Sequence, residues 1–181
     1  MFNQQKLLSL NKQISAITTA MFSIQVILVV FVGWLAKVMV QRRPFNLSKT
    51  SIRKIFQGLA SYGMGAALFL FTFNNCNLVY VSLLLQLISI LSMFTAGGET
   101  MLPYDLSQEY PATIMSIANS VANVSGITTT TLAGLILGDE GGSYERWNLL
   151  IYLIAGANML GGLAFSFLVR AEPIDFGSGS R

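Results

Sequence analysis

A run of 44 residues without any charge, at positions 55–98, constrains the fold of this chain most strongly. A helix needs about 20 apolar residues to cross the hydrocarbon core of a bilayer. The run is therefore too long for one membrane span and fits two. A polar turn at 74–77, with the sequence Asn-Asn-Cys-Asn, divides the run between the two predicted spans.

The composition of the whole chain supports a membrane protein. The 181 residues are 53% hydrophobic and only 10% charged, whereas about a quarter of the residues in a soluble domain are charged. The chain has one cysteine and no histidine, which excludes an intrachain disulfide and every histidine-dependent catalytic or metal site. We find no phosphate-binding loop, nucleophile motif or metal-ligand spacing, and therefore expect no enzyme activity, no cofactor and no metal.

These patterns predict an all-α fold, a polytopic membrane helix bundle with about five transmembrane helices embedded in the lipid bilayer. We expect a polar N-terminal segment at 1–13, a transmembrane bundle at 14–170 and a short flexible tail at 171–181. The expected spans are 14–40, 55–73, 78–101, 112–138 and 147–169.

Basic residues predict the orientation of the bundle. The segment 41–54 contains five lysines and arginines and no acid. Because cytoplasmic loops carry an excess of basic residues, this loop is predicted to be cytoplasmic. Five spans then place the N-terminus outside or in a lumen and the C-terminus in the cytoplasm. Because the basic residues lie between apolar spans, the net charge of +3 does not indicate a nucleic-acid partner.

The fourth predicted span carries small residues at regular intervals, and small residues let helices approach closely in lipid. This predicted packing face consists of Ala118, Ala122, Gly126, Gly134 and Gly138. Asn119 and Asn123 lie one turn apart beside it. Their amides either line a cavity and bind a substrate or form hydrogen bonds between helices, and the sequence leaves both interpretations open.

Acidic residues near the end of the third span form the other candidate site. Glu99 follows Gly97 and Gly98, where the backbone is able to unwind. It is either a titratable group facing a cavity or an acid at the membrane interface. Asp105 and Glu109 follow in a turn. They are interpreted as solvated loop acids or as partners of two basic residues that close one face, Arg42 and Arg43.

Several short motifs occur in a recognisable order along the chain. They are Asp105-Leu106-Ser107-Gln108-Glu109-Tyr110, Asn119-Ser120, Ser125-Gly126, Gly134 and Glu145-Arg146-Trp147. This order resembles the C-terminal half of major facilitator superfamily transporters. It is most similar to the anion cotransporter family that includes sialin, the vesicular glutamate transporters and the sodium/phosphate cotransporters. The acid that such transporters usually carry after the glycine of the first matched helix is Lys37 here.

The resemblance implies secondary active transport of small organic anions or phosphate by alternating access, with a proton or sodium ion as the driving ion. It implies a plasma membrane or a vesicle or lysosome membrane as the location. Transporters of this type place their substrate between two halves of a twelve-helix bundle. Because this chain matches only the last five helices, we expect it to act as part of a longer chain. The alternative is a truncated membrane interaction protein, or relic, that does not transport.

Overall fold

The computed structural model describes residues 2–43, 46–73, 78–138 and 142–174. Within these ranges the regular structure is helical throughout, which confirms the predicted all-α membrane bundle. The helices are α1 (Phe2–Arg42), α2 (Lys49–Phe71), α3 (Leu78–Ser92), α4 (Leu102–Leu106), α5 (Pro111–Leu137) and α6 (Tyr144–Leu168). Two 3₁₀ turns, Met93–Gly97 and Glu99–Met101, connect α3 to α4. We call residues 93–101 the broken segment.

Four helical stretches in the described ranges are long and apolar enough to cross a membrane. They are Phe22–Arg42, Val79–Leu106, Pro111–Leu137 and Tyr144–Leu168. They agree with four of the five expected spans. The second expected span is also helical, since α2 has 23 residues, but α2 is not among these four stretches. The predicted turn at 74–77 lies outside the described residues.

The second helix begins earlier than predicted, inside the basic segment that we expected to be a loop. Ser48 caps α2, because its side-chain oxygen accepts a hydrogen bond from the Ser51 N–H at 3.1 Å. Lys49, Arg53 and Lys54 therefore lie on the first two turns of a helix. The prediction of a loop over all of 41–54 is wrong at this end, since a run of basic residues does not by itself prevent a capped helix from forming.

A small core forms where α1 and α2 meet the broken segment. Its buried members are Val32, Ala36, Ile52, Phe56 and Ala96. Lipid chains are as apolar as these side chains, so close packing rather than transfer from water stabilises such a contact in a bilayer. This core fixes the broken segment against the first two helices.

Among the described residues, the most extensive contact between two helices is that of α2 with α6, and glycines make this contact possible. A Cβ atom added to Gly65 would lie 2.8 Å from Met159 Cγ, and one added to Gly162 would lie 2.7 Å from Ser61 Cβ. At Gly65 and Gly162 the two helices therefore approach too closely for a larger side chain.

The segment after α6 is attached to the bundle at its start. The Ala171 N–H donates to Thr50 Oγ1 at 3.0 Å, and the Ile174 N–H donates to the Leu106 carbonyl at 2.8 Å. Ala171 is buried. These hydrogen bonds attach residues 171–174 to α2 and α4, and the flexibility of the tail stays a prediction. The remainder of the predicted tail lies outside the described residues.

Candidate functional site

The third predicted span changes from an α-helix to a 3₁₀ turn at Met93 and leaves helical geometry at Gly98, directly before Glu99. Gly98 has φ −99° and ψ −105°, which is outside the helical region. A Cβ atom at Gly98 would lie 2.7 Å from Gln57 Oε1 and 2.9 Å from the Gln57 backbone nitrogen. Glycine is required at this position because the backbone of the broken segment runs directly against α2. The expected unwinding beside Glu99 is confirmed.

Glu99 projects into a polar cavity of about 350 Å³ between α2, the broken segment and α6. We call it the Glu99 cavity. Gln57 Nε2 donates to Glu99 Oε2 at 3.2 Å and to Ser61 Oγ at 3.3 Å. The same side chain accepts a hydrogen bond from the Glu99 N–H through Oε1 at 3.2 Å. Gln57 therefore holds both the backbone and the carboxylate of Glu99.

The remaining lining of the Glu99 cavity is neutral. Thr95 and Asn158 contribute further polar side chains, and no lysine or arginine is among the described residues that line the cavity. Thr95 Oγ1 donates to the Ser92 carbonyl at 2.8 Å, and Asn158 Nδ2 donates to the Ile154 carbonyl at 3.0 Å. A carboxylate without a neighbouring cation is costly within a membrane bundle. The arrangement is suited to a group that exchanges a proton or binds a cation.

Arg53 lies one helical turn before Gln57 and faces the other side of the broken segment. Its Nε donates to Asp105 Oδ2 at 2.6 Å, and its Nη1 donates to the Gly97 carbonyl at 2.9 Å. Lys49 Nζ lies 3.2 Å from Asp105 Oδ1. Arg53 thus connects α2 to the broken segment at Gly97 and to α4 at Asp105, on either side of Glu99 in the sequence.

These contacts correct the prediction made for Asp105. Its side chain is only 10% exposed, so it is not a solvated loop acid, and its partners are Arg53 and Lys49 rather than Arg42 or Arg43. The early start of α2 brings Arg53 and Lys49 to the end of α4. Arg42, by contrast, ends α1 and is exposed to solvent, as is Arg43.

Glu109 matches the expectation of a solvated loop acid. It is exposed, and its carboxylate accepts a hydrogen bond from Tyr110 Oη at 2.7 Å. This hydrogen bond to Glu109, followed by the repulsion between the Glu109 charge and a phenolate, raises the pKa of the Tyr110 phenol. Ser107 Oγ orders the same turn by accepting the backbone N–H groups of Glu109 and Tyr110.

The fifth helix differs most from expectation. Asn119 and Asn123 are exposed, and α5 has no buried residue. Among the described residues the principal neighbours of α5 are α4 and α6, and a Cβ atom added to Gly126 or Gly134 meets no atom within 4 Å.

No helix of the described part of this chain covers Ala118, Ala122, Gly126 or Gly134, so their role in helix packing stays a prediction. A small-residue stripe indicates that close approach is possible, but it does not specify the neighbour. Gly138 has a different role. It ends α5 with φ 67°, a left-handed conformation that glycine adopts readily, and its N–H donates to the Gly134 carbonyl at 2.9 Å.

Gln57 and Ser61 were not predicted as site residues. Arg53, Gln57 and Ser61 are spaced by four residues and all three are buried, so they form one polar stripe on α2. We call it the α2 polar stripe. The four-residue spacing was the available signal, because polar residues on one face of an apolar helix indicate a protein-facing side.

Comparison with known proteins relates this geometry to transporters. The chain is 25% identical over 86% of its length to a protein of Drosophila ananassae described as a candidate inorganic phosphate cotransporter. It is 24% identical over 83% of its length to a protein of the same description from Drosophila melanogaster. It is 29% identical over 66% of its length to vesicular glutamate transporter 2 of Bos taurus.

The predicted resemblance to anion transporters is confirmed. No protein-family model matches the chain. The chain spans 30%, 27% and 20% of the lengths of these three relatives, so their activities belong to proteins several times longer than the chain. The relatives are named as transporters rather than enzymes.

Proposed function

We propose that this protein carries out secondary active transport of small organic anions or phosphate by alternating access, with this chain supplying one wall of the pathway. The names of the anion-transporter relatives support the substrate class. The observation that carries the proposal is the Glu99 cavity, where a carboxylate lies beside a broken helix without a lysine or arginine in the described lining.

The chemistry of Glu99 supports a role in ion coupling. Discontinuous helices in transporters often place ion and substrate sites near their unwound backbone. Glu99 is accessible from its cavity and is itself part of the broken segment. A change in its charge state therefore acts directly on that segment. A proton or a sodium ion bound at Glu99 would neutralise its carboxylate, which otherwise has only the hydrogen bond from Gln57 Nε2 to stabilise its charge. The cavity therefore supports proton or sodium coupling of anion transport.

Asn119 and Asn123 retain their place in the proposal as residues of the substrate pathway. Both side chains are exposed on α5, where an amide is able to donate to a carboxylate or phosphate. Arg42, Arg43 and Glu109 are exposed charges that remain candidates for closing one face of the pathway. We place the protein in the plasma membrane or in a vesicle or lysosome membrane. The basic segment 41–54 supports a luminal or outside N-terminus and a cytoplasmic C-terminus.

The test compares Glu99→Gln with the unaltered protein, expressed from its complete reading frame and reconstituted in liposomes. Uptake of labelled phosphate and labelled glutamate is measured under an inward proton or sodium gradient. Glutamine keeps the size of the side chain and removes its charge, so cation-driven accumulation is expected to fall to the rate without a gradient. Glu145→Gln, an exposed acid at the start of α6, is the matched control and should leave accumulation unchanged. Full coupled uptake in Glu99→Gln would remove Glu99 from the mechanism.

One observation favours the second candidate, a membrane interaction protein that does not transport. The α5 helix has 27 residues and none is buried, so its small-residue face is open to another membrane protein. The same uptake experiment distinguishes the two. Uptake of both anions no higher than in protein-free liposomes, under both cation gradients, would favour the interaction protein.

A further inference from the structure

A second cavity lies on the opposite side of the broken segment from the Glu99 cavity. It has a volume of about 720 Å³ and runs along one face of α1. We call it the α1 groove. Its α1 members include Val29, Gly33, Trp34, Lys37 and Gln41, which recur at the spacing of one helical face. The groove extends about 18 Å along the helix axis, at 1.5 Å per residue.

The two ends of the α1 groove differ in chemistry. Val29 and Val30 make one end apolar. At the other end, Lys37 and Gln41 lie in the last turns of α1, where the basic segment 41–54 begins. Arg53 lines the groove from α2, and no acid is among the described residues that line it. A ligand that matches this groove has an anionic head at the Lys37 end and a long apolar body at the Val29 end.

We propose that the α1 groove binds one anionic phospholipid, with its phosphate at Lys37 and an acyl chain along Val29 to Trp34. Three observations favour a lipid over a soluble anion. The apolar end of the groove lies within a predicted membrane span, the cationic end lies near the end of that span, and Lys37 and Trp34 are both exposed rather than enclosed.

The position of the groove also fits the distribution of lipids. Anionic lipids of the cytoplasmic leaflet are attracted to basic segments next to a membrane span, and basic pockets between spans bind their head groups. Lys37 stands where the resembled transporters usually carry an acid, so the site is a property of this chain. It does not depend on the proposed transport function.

The groove contains its own reporter. The chain has two tryptophans, and one of them, Trp34, lines the groove. Once every tryptophan except Trp34 is replaced by phenylalanine, Trp147 included, tryptophan fluorescence reports on the groove alone. The variant is reconstituted in vesicles that mix phosphatidylcholine with phosphatidylglycerol, where either lipid carries brominated acyl chains that quench tryptophan on contact. We expect brominated phosphatidylglycerol to be preferred about fivefold over brominated phosphatidylcholine at Trp34, the factor expected for one lysine at an anionic surface.

Two further variants decide the origin of any preference. Lys37→Gln should reduce the preference to about one, because only the charge at the head-group end is removed. Lys54→Gln removes the same charge from α2, outside the groove, and should leave the preference unchanged. Circular dichroism of each variant establishes that the helical content is retained before the quenching is compared.

Four results would overturn the proposal. They are an absence of lipid preference at Trp34, a preference that survives Lys37→Gln, an equal loss in Lys54→Gln, and quenching by neither lipid. The third result indicates general surface charge, and the last indicates that protein covers the groove. A shift of Trp34 emission by octanoate in pure phosphatidylcholine vesicles, without any phosphatidylglycerol preference, would assign the groove to a soluble anion instead.

Discussion

Replacing Arg53 by alanine tests the most connected side chain of the bundle. Arg53 is 6% exposed and joins α2 to Asp105 at 2.6 Å and to the Gly97 carbonyl at 2.9 Å. The Asp105 side chain is 10% exposed, so both charges of the pair are almost fully removed from solvent. Removing one partner of a buried ion pair costs about 3–5 kcal/mol, because the other charge is left buried without compensation.

A second cation beside Asp105 narrows the loss of stability expected for Arg53→Ala. In Arg53→Ala, Lys49 stays 3.2 Å from Asp105 and compensates part of the charge of this buried carboxylate. The expected loss of unfolding free energy is therefore at the lower end of the range, about 3 kcal/mol. Lys49→Ala provides the contrast, because its side chain is 35% exposed and partly solvated pairs contribute about 0–1 kcal/mol. Lys54→Ala, one residue from Arg53 on α2, controls for the loss of a basic residue.

The assay is reversible unfolding in mixed micelles, by titration with dodecyl sulfate and circular dichroism. The double variant Arg53→Ala with Asp105→Ala should cost less than the sum of the two single variants, because the unpaired charge is then absent. A loss in Arg53→Ala no larger than that in Lys49→Ala would refute the argument. Additive losses would show that Arg53 and Asp105 do not act as a pair.

Two other variants test the packing around the site. Gly162→Ala should destabilise the bundle by about 1–3 kcal/mol in the same unfolding titration, since its Cβ would lie 2.7 Å from Ser61 Cβ. Gly161→Ala is the control and should be neutral, because its Cβ would meet no atom within 4 Å. Gln57→Leu should lower cation-driven uptake as Glu99→Gln does. It should also lower the free energy of unfolding by about 1–3 kcal/mol, because the Glu99 N–H loses its acceptor. Retained coupling in this variant would show that Gln57 does not position the carboxylate.

The apolar pattern of the sequence predicted most of the bundle. Charge-free stretches of sufficient length predicted the approximate positions of the apolar helices, since a membrane leaves few alternatives to helical spans. The pair Gly97 and Gly98 predicted the break directly before Glu99, although the α-helix already ends at Ser92. The start of α2 was missed, because the basic run was taken for a loop although Ser48 supplies a helix cap.

The partners of individual side chains were less accessible to sequence reasoning. Asp105 was expected to be a solvated loop acid or a partner of Arg42 and Arg43, yet the geometry of α2 places Arg53 and Lys49 beside it. The stripe that includes Gly126 indicated a packing surface, but periodicity carries no information about which helix covers it. The α2 polar stripe, by contrast, was visible in the spacing of Arg53, Gln57 and Ser61 and would have identified the wall of the Glu99 cavity.

Accumulation of a labelled anion against its own gradient is the most direct test of the central claim. Liposomes that contain the unaltered protein and no internal anion substrate are placed in labelled phosphate or labelled glutamate, and an inward proton or sodium gradient is imposed at zero membrane potential. Coupled transport predicts that the internal concentration of labelled anion rises above the external concentration and falls back when the cation gradient is dissipated. Internal label that never exceeds that of protein-free liposomes, under either cation gradient and with either anion, would contradict the account.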